Sequence, residues 1–276
     1  MIIAINFSDE KYRDAQSLNS KTAIKYGADK VIEYTPKDID LEYKKKNENH
    51  LKYKRGYGYW FWKPYIISKT LEKINDGDFV IYTDSGAAYI NDIKIFINIM
   101  NRDNIDIMCF CINQIEKNWT KRDAFILLDS DIKEYTDTNQ ICTGYIVIRK
   151  NNKSINVIKE YMNAVMDLRI VSDEDNVLGH DNYDGFVENR HDQSAWSLIC
   201  KKHGIKPYRD PSEFGIKDNV NMDVFPKDVL ERSTYPQMIE SHRNANIKYF
   251  FELNIATKWY QKIEKMVYNK IKRIIK

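Results

Sequence analysis

The sequence predicts an α/β fold, a sheet covered by helices within one domain. Three observations carry this prediction. Apolar runs of strand length alternate along the chain with stretches of helical periodicity. The run Phe79-Val80-Ile81-Tyr82 is apolar without a break, the pattern of a strand covered on both faces. Finally, 43% hydrophobic residues over 276 positions suffice for a full core without disulfides or a structural metal.

Taken in order, residues 1–7 read as the first strand. Residues 9–26 carry helix formers and end at Gly27, a natural C-cap. Residues 30–34 are a second strand, stopped ahead of Pro36, and the polar stretch 37–55 reads as surface helix and loop. Pro64 marks a helix start, after which Ile67, Leu71 and Ile74 recur at helical spacing up to the turn Asn75-Asp76-Gly77. Residues 78–83 form the central strand and 105–112 and 145–148 further strands, while 154–166 and 194–202 are helical, the latter ending at Gly204. The stretch 171–188, acidic through Asp173, Glu174, Asp175, Asp181 and Asp184, is a long loop, either functional or a solvated excursion. No repeat or linker divides the chain, so one domain spans 1–256, with residues 257–276 appended as a helix.

Charge and cysteine content narrow the class. The 43 Lys+Arg against 40 Asp+Glu leave +3, which argues against a surface tracking nucleic acid. Cys109, Cys111, Cys142 and Cys200 lack zinc-site spacing and read as buried, reduced thiols. The start of the chain has no signal-peptide pattern and no stretch reaches membrane-spanning length, so a cytoplasmic protein is expected. Residues 258–276 place Trp259, Ile263, Met266, Val267, Ile271 and Ile274 on one helical face and lysines on the other. That pattern suits the inner surface of an anionic membrane, or a terminal helix docked on the domain.

Five segments hold groups that can carry chemistry. Asp84 ends the central strand, at the edge where open α/β sheets bind ligands, and a carboxylate there can hold a divalent cation. Ser85 and Gly86 let the backbone approach a ligand, although Asp-Ser-Gly is also an ordinary Asx-type turn. In the block 56–64, two glycines and five aromatics lead into Lys63-Pro64. Lys63 beside a helix N-terminus suits a diphosphate, and Trp60 or Trp62 can stack on a ring or belong to the core. In the segment 188–194, Asp192 is either a reacting-face carboxylate flanked by Arg190, His191 and Gln193 or simply a first-turn acid behind a cap at Asn189. Thr143-Gly144 opens a buried strand where a ligand can reach the backbone. Far downstream, His242 offers a metal ligand and Arg243 a phosphate partner.

In this order, GYGYWFWKPYII (56–67), YTDSG (82–86), WTKRDAF (119–125), TGYIVIR (143–149), RHDQS (190–194) and SHR (241–243) resemble the GT-A glycosyltransferases of the bacterial and viral polysaccharide and lipopolysaccharide type. The resemblance covers residues 1 to about 243. It implies a Rossmann-like mixed sheet, a nucleotide-diphosphate-sugar donor such as a UDP-hexose, and transfer of the sugar to a hydroxyl of a glycan or lipid-linked glycan. It further implies Asp84 and Asp192 as catalytic residues, and Asn6, Trp62, Lys63, Thr83, Asp84, Ser85, Gly86 and Arg243 on the donor side. Thr143, Gly144, Arg190, His191 and Gln193 fall to the sugar and acceptor, and Asp84 with His242 to Mn2+ or Mg2+. The family's Asp-x-Asp reads Asp84-Ser85-Gly86 here, without its second carboxylate. Two rivals remain at this point. A nucleotidyltransferase would want a glycine-rich basic loop where Ser8-Asp9-Glu10-Lys11 stands, and a sugar- or nucleotide-binding module without catalysis accords with the missing Asp. The leading reading requires Asp84, the Trp-rich turn and residues 190–194 to share one cleft.

Overall fold

The computed structural model describes residues 1–216 and 221–242. Arg243 and the predicted helix at 257–276 lie outside the described residues. Ten strands are present among those described: β1 (Ile2–Phe7), β2 (Lys30–Tyr34), β3 (Phe79–Thr83), β4 (Ala87–Tyr89), β5 (Ile107–Met108), β6 (Phe110–Ile115), β7 (Asn139–Ile141), β8 (Tyr145–Arg149), β9 (Tyr208–Arg209) and β10 (Ile239–Ser241). The main sheet runs β2-β1-β3-β8-β5. Within it β1 is parallel to β2 and β3, while β8 is antiparallel to both β3 and β5. The sheet is therefore mixed and flanked by helices, as the sequence predicts.

Strand periodicity sorts its side chains into two cores. Ile3, Ile5, Val80, Tyr82, Ile146 and Ile148 meet the helices Trp62–Leu71, Asn152–Val165 and Asp192–Lys202. On the opposite face, Ile2, Ala4, Phe79, Ile81 and Val147 meet Ala23 of the helix Arg13–Lys25 and Phe96, Ile99 and Met100 of the helix Lys94–Arg102. Each fully buried aliphatic side chain contributes about 2 kcal/mol. A one-residue slip of β3 would exchange its two faces, so burial fixes the register. The same register fixes which way Asp84 points.

The strand expected at 105–112 is two strands in different sheets. The chain leaves the main sheet at Cys109, and β6 pairs instead with β7 and β9. The return path departs in the same way, at Cys142-Thr143-Gly144 between β7 and β8. The two sheets part at these breaks, and 142–144 line the cleft beyond.

The acidic loop 171–188 is tied down rather than simply solvated. Buried Asp123 accepts from Val177 N and Leu178 N at 2.7 and 3.2 Å. Asn182 Oδ1 accepts from Arg122 N at 2.8 Å, and Asn118 Nδ2 donates to Gly185 O at 2.6 Å. The segment 119–125, singled out in the sequence, thus anchors this loop together with Asn118. No helix among the described residues is long and apolar enough to cross a membrane.

Candidate active site

The aromatic block folds into an unusual turn. Gly56, Tyr57, Gly58, Tyr59 and Trp60 all have positive φ, between 51° and 88°. For each non-glycine residue this costs about 1–2 kcal/mol, so packing must hold it. A Cβ on Gly56 would stand 2.3 Å from the Trp60 ring, so the turn closes on a position without a side chain. Trp62 Nε1 donates to Gly56 O at 2.9 Å, and the Trp62 ring stacks on Phe7 at 3.7 Å. The turn reverses the chain into the helix Trp62–Leu71, with Lys63 in its first turn.

Lys63 is buried, and its Nζ lies 2.9 Å from Asp192 Oδ2 and 3.5 Å from Asp84 Oδ1. It also donates to Thr143 Oγ1 at 3.1 Å and Thr143 O at 3.3 Å, and lies 5.1 Å from the centroid of the Tyr82 ring. Burial opposes its charge, but Asp192 and then Asp84 outweigh burial and hold the ammonium above the ordinary lysine range.

Each carboxylate has its own phenol. Tyr82 donates to Asp84 Oδ1 at 2.6 Å, and Tyr161 to Asp192 Oδ2 at 2.9 Å. Burial, then the neighbouring carboxylate, pushes both phenols well above the usual tyrosine range, so both remain donors. Asp192 sits in the first turn of its helix, where the N-terminal dipole favours an anion. His191, at φ 57°, occupies the cap position. Asn189 instead accepts from Lys121 N and Ser194 Oγ.

These groups converge on a cleft of about 730 Å³, a volume typical of small-ligand sites. Asp84, Ser85, Gly86, Trp62, Lys63, Thr143, Gly144, Arg190, His191, Asp192 and Gln193 all line it. The convergence demanded by the sequence reading is therefore present. Gly144 stands close enough to Asp84 that an added Cβ would lie 3.5 Å from Oδ2. Gln193 Oε1 accepts from Thr143 N at 3.4 Å, and its Nε2 donates to Gln140 Oε1 at 2.7 Å.

Several assignments change. Asn6 and Thr83 do not line the cleft, for the same reason: their strand neighbours Phe7, Tyr82 and Asp84 take the site-facing positions. Asn6 bonds Asn19 and Ser20, and Thr83 bonds Tyr89 at 2.5 Å. Trp62 is 4% exposed and has one face stacked on Phe7, so it belongs largely to the core. Lys63, expected beside a diphosphate, lines the cleft with its ammonium held by two carboxylates. His191 stacks on Tyr59 and Trp60 and donates from Nδ1 to Val171 O at 2.8 Å. His242 is described but does not line the cleft.

Asp210 and Arg55 are among the cleft residues that escaped the sequence reading. Asp210 follows β9 and is buried in the wall, accepting at Oδ1 from Ser212 N and Oγ at 2.8 and 2.6 Å. Arg55 stands at the mouth, within the polar stretch read as surface. Neither lies in a distinctive local motif.

A divalent ion of the kind the resemblance implies needs several oxygen or imidazole ligands. Ser85 Oγ is turned to Phe7 O at 2.7 Å, Gly86 has no side chain, and Asp84 Oδ1 already serves Tyr82 and Lys63. Among the described residues no three His, Cys, Asp or Glu side chains group as a metal site. The described residues do not fit a resident ion.

Comparisons with known proteins complete the description. No protein-family model matches the chain, and no curated protein matches it. Among solved structures it is similar to mouse xyloside xylosyltransferase 1 in its apo form, at 10% identity and TM-score 0.48, over 87% of this chain and 97% of that one. It is also similar to the apo WbbM bifunctional glycosyltransferase, at 9% identity and TM-score 0.47, over 88% of this chain and 46% of that one. A third is a glycosyltransferase involved in glycosylation of the major capsid of PBCV-1, at 16% identity and TM-score 0.35, over 61% of this chain and 66% of that one.

Proposed function

We propose that this chain is a glycosyltransferase that moves a sugar, a hexose from a UDP-linked donor, to a hydroxyl of a glycan or lipid-linked glycan. The observation that carries the reading is Lys63 wedged between Asp84 and Asp192 at the floor of a cleft assembled from three distant segments.

The floor suits a polyol that turns cationic. Carboxylates and the Thr143 backbone accept hydrogen bonds from sugar hydroxyls, and a fixed negative charge stabilises an oxocarbenium-like transition state. Asp192 is held for that task by Lys63 and Tyr161 on one oxygen, Oδ2, which leaves Oδ1 to face the sugar. In the reaction, the bond from the anomeric carbon to the phosphate oxygen breaks, and the nucleoside diphosphate leaves with the electron pair. The acceptor oxygen bonds the anomeric carbon, and its proton passes to the departing diphosphate. Asp84, steered by Tyr82, orients the sugar.

A cytoplasmic enzyme resting on a membrane through residues 257–276 accords with a lipid-linked acceptor, and the basic amphipathic sequence supports it. Liposome flotation of full-length chain against a chain ending at Ala256 tests this part, and equal binding by both retires it. The activity itself is tested by thermal shift with UDP-, GDP- and CMP-sugars, with and without manganese. A donor in this class raises the melting temperature; stabilisation by none of them sinks the proposal.

A further inference from the structure

Charges of both signs line the cleft. Lys63, Asp192 and Asp210 are buried in it, whereas Asp84, Asp9, Lys11, Lys54, Arg55 and Arg190 are at least partly exposed. A dianion is repelled by the carboxylates and attracted by the exposed cations. One carboxylate holds two guanidiniums: Arg55 Nη2 lies 3.2 Å from Glu188 Oε2, and Arg190 Nη2 lies 3.2 Å from Glu188 Oε1. Arg55 Nη1 is 3.4 Å from Asp173, and Arg190 lies 4.3 Å from the centroid of the Trp119 ring. These ion pairs are longer than the roughly 2.7–2.9 Å of a strong charge-assisted bond. They are also partly exposed, so water weakens them and a better acceptor can displace them.

We infer that Arg55 and Arg190, bracketed by Glu188, clamp the donor's diphosphate, and that sugar transfer needs no divalent ion. The inference rests on the nucleotide-sugar reading above. The planar N–H forks of the two guanidiniums match paired phosphate oxygens, which would take them over from Glu188 and Asp173. The clamp supplies what Asp84-Ser85-Gly86 cannot assemble. It also leaves the sugar pointing toward Asp84 and Asp192, where the acidic floor receives it.

Calorimetric titration of the full chain with UDP, GDP and UMP, each in EDTA and in Mn2+, tests the inference. The clamp requires nucleoside diphosphate affinity within threefold in the two conditions. Arg55→Gln and Arg190→Gln should each weaken diphosphate binding at least tenfold and UMP binding less than threefold. Arg55→Lys, on a side chain 46% exposed, should give an intermediate loss for the diphosphate. Binding abolished by EDTA, or unchanged in all three variants, overturns the clamp while leaving glycosyl transfer standing. Binding of neither diphosphate in either condition overturns the nucleotide-sugar reading and the clamp with it.

Discussion

Lys63 and Asp192 form a 2.9 Å ion pair with only 2% and 5% of their side chains exposed. A pair this dry has little screening, and its worth lies less in the attraction than in what either charge would suffer alone. Lys63 also holds Asp84, so one ammonium balances two carboxylates at the point where β3 and the helix Asp192–Lys202 bring them together. This makes Lys63 the keystone of the floor and ties stability to the site.

Replacing Lys63 with Met should therefore cost about 3–5 kcal/mol, because it strands buried Asp192. Urea midpoints report the loss. The double variant Lys63→Met/Asp192→Leu should recover part of it, and a double variant no more stable than Lys63→Met would refute the pairing argument.

Asp84 has 49% of its side chain exposed, so Asp84→Asn should leave the melting temperature within a few degrees of the parent. Donor hydrolysis should fall by about a hundredfold or more, the scale of removing one electrostatic stabiliser. Asp192→Asn should lose activity to a similar degree and be the less stable of the two. Full activity in either variant removes that residue from the chemistry.

Gly56→Ala probes the left-handed turn. The new Cβ would collide with the Trp60 ring at a backbone angle that disfavours a side chain, so a loss above about 2 kcal/mol is predicted. Gly77→Ala, also at positive φ but with open space around it, should cost less, since it adds no collision. Equal losses in thermal melts would show that strain, not the Trp60 contact, governs position 56.

Acid should weaken the fold through two histidines. Burial lowers His191 and His50 below the ordinary value near 6.5, although their bonds to Val171 O and Val165 O act the other way. The unfolded chain then binds more protons than the folded one just below that value. Stability is complete above it and declines as pH falls toward the folded-state values. Melting temperatures from pH 8 to pH 5 should drop less steeply in His50→Asn than in the parent; parallel curves would refute the assignment.

Much of this molecule was legible in the chain itself. Hydrophobic runs and helical spacing define the strands and main helices, because burial of alternate or every third to fourth residue is a local pattern. The Trp-rich block, Asp84 and 190–194 stood out because unusual residues crowd into short segments. What only tertiary structure decided is direction. Whether Asn6 and Thr83 enter the site depends on which sheet face the register of β1 and β3 turns inward, and neighbouring residues take opposite faces. Lys63 reads as a phosphate ligand beside a helix start, yet two carboxylates from segments 21 and 129 positions away claim it in space. Asp210 and Arg55 carry no local signature, since a charge becomes a site residue only through the partners that folding places beside it.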